Sequence, residues 1–338
     1  MARPGFQIEL RLIDLPLAER FTIARQTWTV ATSLFVKVTY GSATGWGEVQ
    51  PADRWGETPD SALEQVASVD LGALRGPFDL EAVGRLLPAG SARCALDIAF
   101  HDLAGKLAGL PIRALLGLGE RGPEPTSVTV PIAEPSAMVE RAKRFAAYPI
   151  IKTKVGFDGD VEAIGSIRDV YRGRIRVDAN EGWDVDAAID RLEALAEYDI
   201  ELCEQPIAAG DLDGMRKVRE ASPIPIYADE DVCTSEDVVR LQGSVDGVNL
   251  KLRKTGGLRE FVRCVAVARA LDMGVMIGCD LESGIAISAG AHVAPLADFV
   301  DLDGPLLLKE DPYPGIAYEG ATLRIPDAPG LGVRKDPW

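Results

Sequence analysis

Apolar and polar residues alternate along FQIELRLID at 6–14 and again along SLFVKVTY at 33–40. A period of two marks a strand with one buried face. The GSATGWGEV that follows supplies a glycine-rich turn and another short strand, so the opening predicts an antiparallel meander. Residues 59–73 and 79–87 switch to helical spacing, which makes the first part of the chain a small α+β unit. At Ala92 the texture changes. ARCALDIAFHDLAGKLAG has helical spacing throughout and ends on Gly109, a good C-terminal stop.

From Thr126 onward one pattern repeats: a short β-rich run, a polar turn, then an amphipathic helix. The runs SVTVPI, IIKTKV, RIRVDA, IELCEQ, PIYADE, GVNLKL, GVMIGC and FVDLD recur at roughly 25 residues, as parallel βαβ units do. Seven or eight such units in series favour a closed TIM-type barrel over an open doubly wound sheet. The open sheet would carry a glycine-rich phosphate loop, and the sequence contains neither GxGxxG nor GxxxxGK.

Composition narrows the function. A chain of 338 residues with 47% hydrophobic content can build a large core, and 26% charged residues without low-complexity runs argue against disorder. The net charge of -16 repels phosphate backbones, which excludes nucleic acid as a partner and suits cations as ligands. Five cysteines without a CxxC spacing read as reduced, mostly buried residues of a cytoplasmic protein. The N-terminal MARPGFQIELRL lacks the apolar segment of a signal peptide, and no apolar run approaches the roughly 20 residues of a membrane span.

The ionisable residues of the repeat gather at one place, the C-terminal end of each β run, where barrel active sites are built. Lys152 and Lys154 end one run, Asp178 and Asn180 the next, then Glu204, then Asp229 with Glu230, then Lys251. Asp280 and Glu282 follow GVMIGC, and Asp301 and Asp303 close the last run. A single acid at such an end is usually a helix cap; a charge at the same rim on seven successive strands is not accidental. Asp178, Glu204 and Asp229 come from consecutive strands and offer only oxygen, which suits Mg²⁺ rather than Zn²⁺. Lys152, Lys154 and Lys251 flank them. A lysine beside a divalent cation and other ammonium groups has a lowered pKa and can serve as a base, while the metal spreads the charge left when an α-proton departs. His101 and His292 lie on predicted helices and read as packing residues.

KTK at 152–154, DAN at 178–180, EQP at 204–206, ADED at 228–231 and KLRKTGG at 251–257 together resemble the enolase superfamily, in particular its muconate-lactonising-enzyme subgroup. GWGEV near residue 45 and ALDIAFHDLAGKLAG match it outside the barrel. The resemblance implies an enolase-like modified barrel over 121–320, an α+β capping domain over 1–120 that includes the first barrel-side helix near 92–109, and a segment at 321–338 packed back on the cap. It implies Asp178, Glu204 and Asp229 as Mg²⁺ ligands, oriented by Asn180 and Glu230, with Lys154 and Lys251 as opposed acid/base groups and Lys152 beside the substrate carboxylate. It also implies a homo-oligomer. DLDGPLLL at 301–308 resembles the DxD motif of the subgroup's dipeptide epimerases, and two carboxylates there suit a free α-ammonium. The expected reaction is a two-base 1,1-proton transfer at the second residue of a dipeptide. An o-succinylbenzoate synthase-type lyase and a muconate cycloisomerase are the alternatives. TIARQT at 22–27 and VQPADRWGE at 49–57 are expected over the barrel mouth. There the resemblance implies a cation facing the glutamate side chain of Ala-Glu: Arg25 is the candidate, while Gln26 holds the position where an arginine is expected, and Asp280, where the family has an apolar residue, would meet a cationic side chain instead.

Overall fold

The computed structural model describes residues 5–119, 125–333 and 338. The chain begins with β1 (Phe6–Ile23), β2 (Gln26–Tyr40) and β3 (Ala43–Val49), an antiparallel sheet in the order β1-β2-β3. β1 runs well past the alternating stretch at 6–14. Its second half is held from outside, because Leu15 and Leu17 pack with Leu281 and Leu308, and Lys309 N donates to Pro16 O at 2.8 Å. The register with β2 breaks between Pro16 and Phe21 and resumes to end at Ile23 opposite Gln26.

The two predicted helices of this region are shorter than their apolar spacing implies. The first spans Pro59–Ala67, capped reciprocally by Thr58 and Ser61. It stops because the Asp70 carboxylate accepts from Gly72 N and starts a separate tight turn. The second is only Leu80–Val83. The helix Ser91–Ala108 matches the sequence reading and lies directly on β3. A Cβ at Gly45 would come 2.1 Å from Ala99 O, and one at Gly47 2.0 Å from Ala95 O, so only glycine permits this approach.

Eight strands then form one parallel sheet in sequence order: β4 (Val128–Val130), β5 (Ile150–Lys154), β6 (Arg174–Asp178), β7 (Ile200–Glu204), β8 (Ile226–Ala228), β9 (Gly247–Lys251), β10 (Gly274–Gly278) and β11 (Phe299–Val300). A parallel bridge between Thr126 and Val300, with Ser127 N donating to Val300 O at 3.1 Å, joins the last strand to the first and closes the ring. This is the α/β barrel the sequence predicts. Strand side chains alternate, so residues two apart share a face. Leu202, Tyr227 and Met276 form an apolar cluster with Phe299, and the charged positions lie two residues further along several of the same strands.

One apolar core runs from the cap sheet, with Leu34, Phe35 and Val36, into the barrel, with Val248, Leu250 and Val275. At the seam Glu48 accepts from Ser283 N at 2.8 Å, Ser283 Oγ at 2.5 Å and Ala286 N at 3.1 Å. Toward the C-terminus Leu331 N donates to Asp102 at 2.8 Å, and the Trp338 ring stands edge-on to Trp46 at 4.6 Å. All five cysteines are free. Among the described residues no helix is long and apolar enough to cross a membrane.

Candidate active site

Strand alternation and register bring the rim charges together. Lys154 pairs in register with Asp178, and Asp178 with Glu204, so adjacent strand ends place their side chains side by side. Asp229 follows β8 directly and Lys251 ends β9. All five are buried, as is Lys152. Lys154 Nζ lies 2.5 Å from Asp178 Oδ2, and Lys152 Nζ lies 3.1 Å from Glu204 Oε2 and 3.5 Å from Asp178 Oδ2. Lys152 also pairs with Asp301. Lys251 Nζ lies 2.9 Å from Asp229 Oδ2 and 3.7 Å from Asp280 Oδ1.

These pairings set the protonation states. Burial would raise Asp178, but Lys154 and Lys152 outweigh it and hold the carboxyl below its usual range. Burial likewise fails at Asp229, which Lys251 and Lys254 keep far below that range. Glu204 goes the other way: burial and the Asp178 charge push it up to about 8. The expectation of a lowered lysine pKa is not met by the protein groups alone. Burial lowers Lys152 and Lys251, yet Asp301 with Glu204 and Asp178 in one case, and Asp229 with Asp280 in the other, raise both above the usual lysine value.

The donor set fits a hard cation. Asp178, Glu204 and Asp229 supply oxygen only, and Asn180 Oδ1 and Glu230 Oε2 nearby are buried without a hydrogen-bond partner. Asn180 Nδ2 donates to Glu230 Oε1 at 3.2 Å, while Asn180 N donates to Asp178 Oδ1 at 3.0 Å. The acids do not converge by themselves, since each is bound by an ammonium group. Among the described residues no group of three or more His, Cys, Asp or Glu side chains is arranged to hold a metal. The backbone at the rim is bent to aim these groups: Asn180, Glu181 and Gln205 have φ of 45°, 68° and 37°.

The rim opens into a cleft lined by Lys152, Lys154, Asp229, Lys251, Asp301 and Asp303, with Arg25, Gln26 and Asp280 on its walls. Asp301 accepts from Ser127 Oγ at 2.5 Å and Asp303 from Thr129 N at 2.7 Å. Burial and the Asp301 charge push Asp303 up to about 6. The residue 22–27 segment is the tight tip of the β1–β2 hairpin rather than a long loop. From it Arg25 reaches Glu230 Oε1 at 2.7 Å and Asn180 O at 2.9 Å. Asp280 lines the cavity, but Arg253 Nε holds its carboxylate at 2.5 Å, and the Arg253 guanidinium lies 4.3 Å from the Trp55 ring centre.

Residues 7–117 match the mandelate racemase / muconate lactonizing enzyme N-terminal domain, and residues 137–337 match the enolase C-terminal domain-like family. The chain belongs to the mandelate racemase / muconate lactonizing enzyme family. Among its relatives, an L-Ala-D/L-Glu epimerase of Bacteroides thetaiotaomicron is 38% identical over 95% of this chain and 86% of its own. A hydrophobic dipeptide epimerase of Roseobacter litoralis is 36% identical over 96% of this chain and 98% of its own. The crystal structure of a dipeptide epimerase from Enterococcus faecalis, complexed with Mg and L-Leu-L-Tyr, superposes with a TM-score of 0.93 at 32% identity, covering 98% of this chain and 99% of that one.

Within this mandelate racemase / muconate lactonizing enzyme site, several residues escape the sequence reading. Lys254 is buried, bonds Asp229 through its carboxylate and its carbonyl, and reaches Asn249 O at 2.9 Å. Asn249 Nδ2 donates to Glu204 Oε1 at 2.6 Å. Alternation could have found Asn249, which lies two before Lys251 on β9. Lys254 depends on the helical turn Leu252–Thr255, which the strand pattern does not encode. His101 and His292 are buried on helices and line none of the cavity, as expected.

Proposed function

We propose that this protein is a dipeptide epimerase that inverts the α-carbon of the second residue by moving protons between two lysines. The observation that carries this reading is the strand order. Lys154 ends β5 and Lys251 ends β9, with Asp178 and Glu204 ending β6 and β7 between them and Asp229 directly after β8. Asp178, Glu204 and Asp229 are the residues that would hold Mg²⁺, and the Mg complex of the Enterococcus faecalis relative supports a divalent metal. When bound, the ion supplies positive charge that offsets the acids and polarises the substrate carboxylate. Asn180 and Glu230 orient the acid row, and Lys152 adds charge beside the substrate carboxylate.

The proton transfer belongs to the lysines. One, in its neutral form, takes the α-proton; the C–H bond breaks and its electron pair moves toward the carboxylate. The other, protonated, delivers a proton to the opposite face, so the centre inverts without a covalent bond to the enzyme. Asp301 and Asp303 receive the free ammonium of the first residue. Arg25, Gln26 and Asp280 flank the second side chain. Because Arg25 is matched by Glu230 and Asp280 by Arg253, neither Ala-Glu nor a cationic dipeptide is singled out by charge. The five free cysteines support a reducing compartment such as the cytoplasm.

Incubation of a dipeptide library with enzyme and Mg²⁺ in D₂O tests the reading. Deuterium is expected at the second residue's α-carbon, lost on chelation. No exchange with any dipeptide, with elimination product from a succinylbenzoate precursor instead, would assign the lyase.

A further inference from the structure

Lys251 is the last residue of β9 to pair with β10, and the pairing of β9 with β8 stops earlier, at Val248. The chain then makes the single helical turn Leu252–Thr255, which ends in Gly256 and Gly257 at φ of 71° and 119°. The turn is buried, and it sends Arg253 to Asp280 and Lys254 to Asp229. It is the mount on which Lys251 stands. A turn this short cannot pair its own last carbonyls. Arg93, on the helix Ser91–Ala108, supplies the donors: Nη2 donates to Thr255 O at 2.6 Å and Nε to Gly256 O at 3.0 Å. A third bond, from Nη1 to Gly84 O at 3.2 Å, ties the guanidinium to the end of the helix Leu80–Val83. One helical turn after Arg93, Asp97 accepts from Leu258 N at 2.7 Å and so fixes the start of the helix that follows the glycines. The glycines permit this approach, since a Cβ at Gly256 would come 2.5 Å from Arg93 Nε and one at Gly257 2.3 Å from Asp97 Oδ1.

We propose that Arg93 is a positioning residue for the proton transfer: through the turn it sets where Lys251 stands, although its own bonds go to backbone carbonyls. The inference rests on the epimerase reading, in which Lys251 is one of two proton carriers. Proton transfer is steep in distance, and a misplacement of about 1 Å costs about 10²-fold. Without the guanidinium both carbonyls lose their donors, the turn is free to shift, and Lys251 shifts with it. Lys154 ends β5, on the other side of β6, β7 and β8, and keeps its place. A defect at Arg93 is therefore a defect in one lysine of the pair. That asymmetry separates positioning from general support of the fold, which would weaken both lysines alike.

The experiment follows epimerisation of the best-exchanged dipeptide of the library, started from each of its two diastereomers with α-protio and with α-deuterio substrate. It uses the native enzyme, Arg93→Met, Arg93→Lys and Gly47→Ala. Gly47→Ala strains the same helix where it meets β3 and is the control for lost stability. Arg93→Met is expected to lower kcat by about tenfold or more, with KM within about twofold and the circular dichroism spectrum unchanged. Its α-deuterium isotope effect is expected to rise in the direction in which Lys251 removes the proton and to fall in the other, because the Lys251 step then limits both. Arg93→Lys, which keeps a donor for one carbonyl, is expected to recover part of the loss. Gly47→Ala is expected to keep both native isotope effects. A native kcat in Arg93→Met overturns the positioning role and leaves the epimerase reading intact. A lowered kcat with both isotope effects at their native values does the same. A native enzyme that exchanges no dipeptide overturns both.

Discussion

Two sets of carboxylates are buried equally deeply and behave in opposite ways. At the barrel rim Asp178 and Asp229 stay ionised, because lysine ammonium groups outweigh burial. At the seam between cap and barrel Glu48 meets only neutral donors from Ser283 and Ala286, and burial pushes it up to about 7. Burial therefore sets the direction wherever the cations opposite do not outweigh it, as at Glu48 and also at Glu204, which goes up to about 8 beside Lys152. At the rim Asp178 and Asp229 are held by lysines, whereas the seam acid is a fastening between two parts of the fold.

Breaking the rim should produce the largest effect. Lys154→Ala or Lys251→Ala removes one of the two proposed proton carriers and is expected to lower α-deuterium exchange by about 10³-fold or more, with the fold intact by circular dichroism. Epimerisation at near-native rate in either variant would end the two-base scheme. The seam is sharpened by pH. A free glutamate titrates near 4.5 and Glu48 near 7, so its contribution to stability is fully present below 4.5 and is lost as pH rises through 7. Over that window denaturant melts of the native protein should lose on the order of 3 kcal/mol that Glu48→Gln does not lose. Parallel pH slopes would show that Glu48 does not titrate there.

A smaller effect is expected where the cap sheet meets its helix. Gly47→Ala forces a Cβ against Ala95 O and should cost about 1–3 kcal/mol of stability, while kcat at room temperature is retained. The smallest is at the hairpin tip. Arg25 is partly exposed and paired with Glu230, so Arg25→Ala should raise KM by no more than on the order of fivefold and leave kcat nearly unchanged. A collapse of kcat would move Arg25 from the mouth into the catalytic set.

The rim was legible because one rule fixes it. A repeated β run places its last residue at the same end of the barrel, and alternation turns Lys152, Lys154, Asp178 and Glu204 inward together. What depends on non-local packing was not legible. The extension of β1 to Ile23 needs Leu281 and Leu308, residues near the other end of the chain. The helix expected through residue 73 ends early because a side-chain bond from Asp70 competes with helical spacing. Arg253 turns into the cavity wall only after the chain bends beyond β9, so its hold on Asp280 has no signature in period two or in helical spacing.

The bridge between Thr126 and Val300 has a consequence for the order in which the site comes into being. Every other seam of the barrel joins strands that are neighbours in sequence, and this one spans nearly the whole barrel. Closing so long a loop is slow, and an unclosed barrel presents two bare strand edges to other chains. Lys152 finds Asp301, and Ser127 finds Asp301, only across that seam. A nascent chain emerging from the ribosome can therefore assemble the acid row well before the proposed receptor for the substrate's amino end is complete. Competence for catalysis should arrive late, as a single event, when the ring locks.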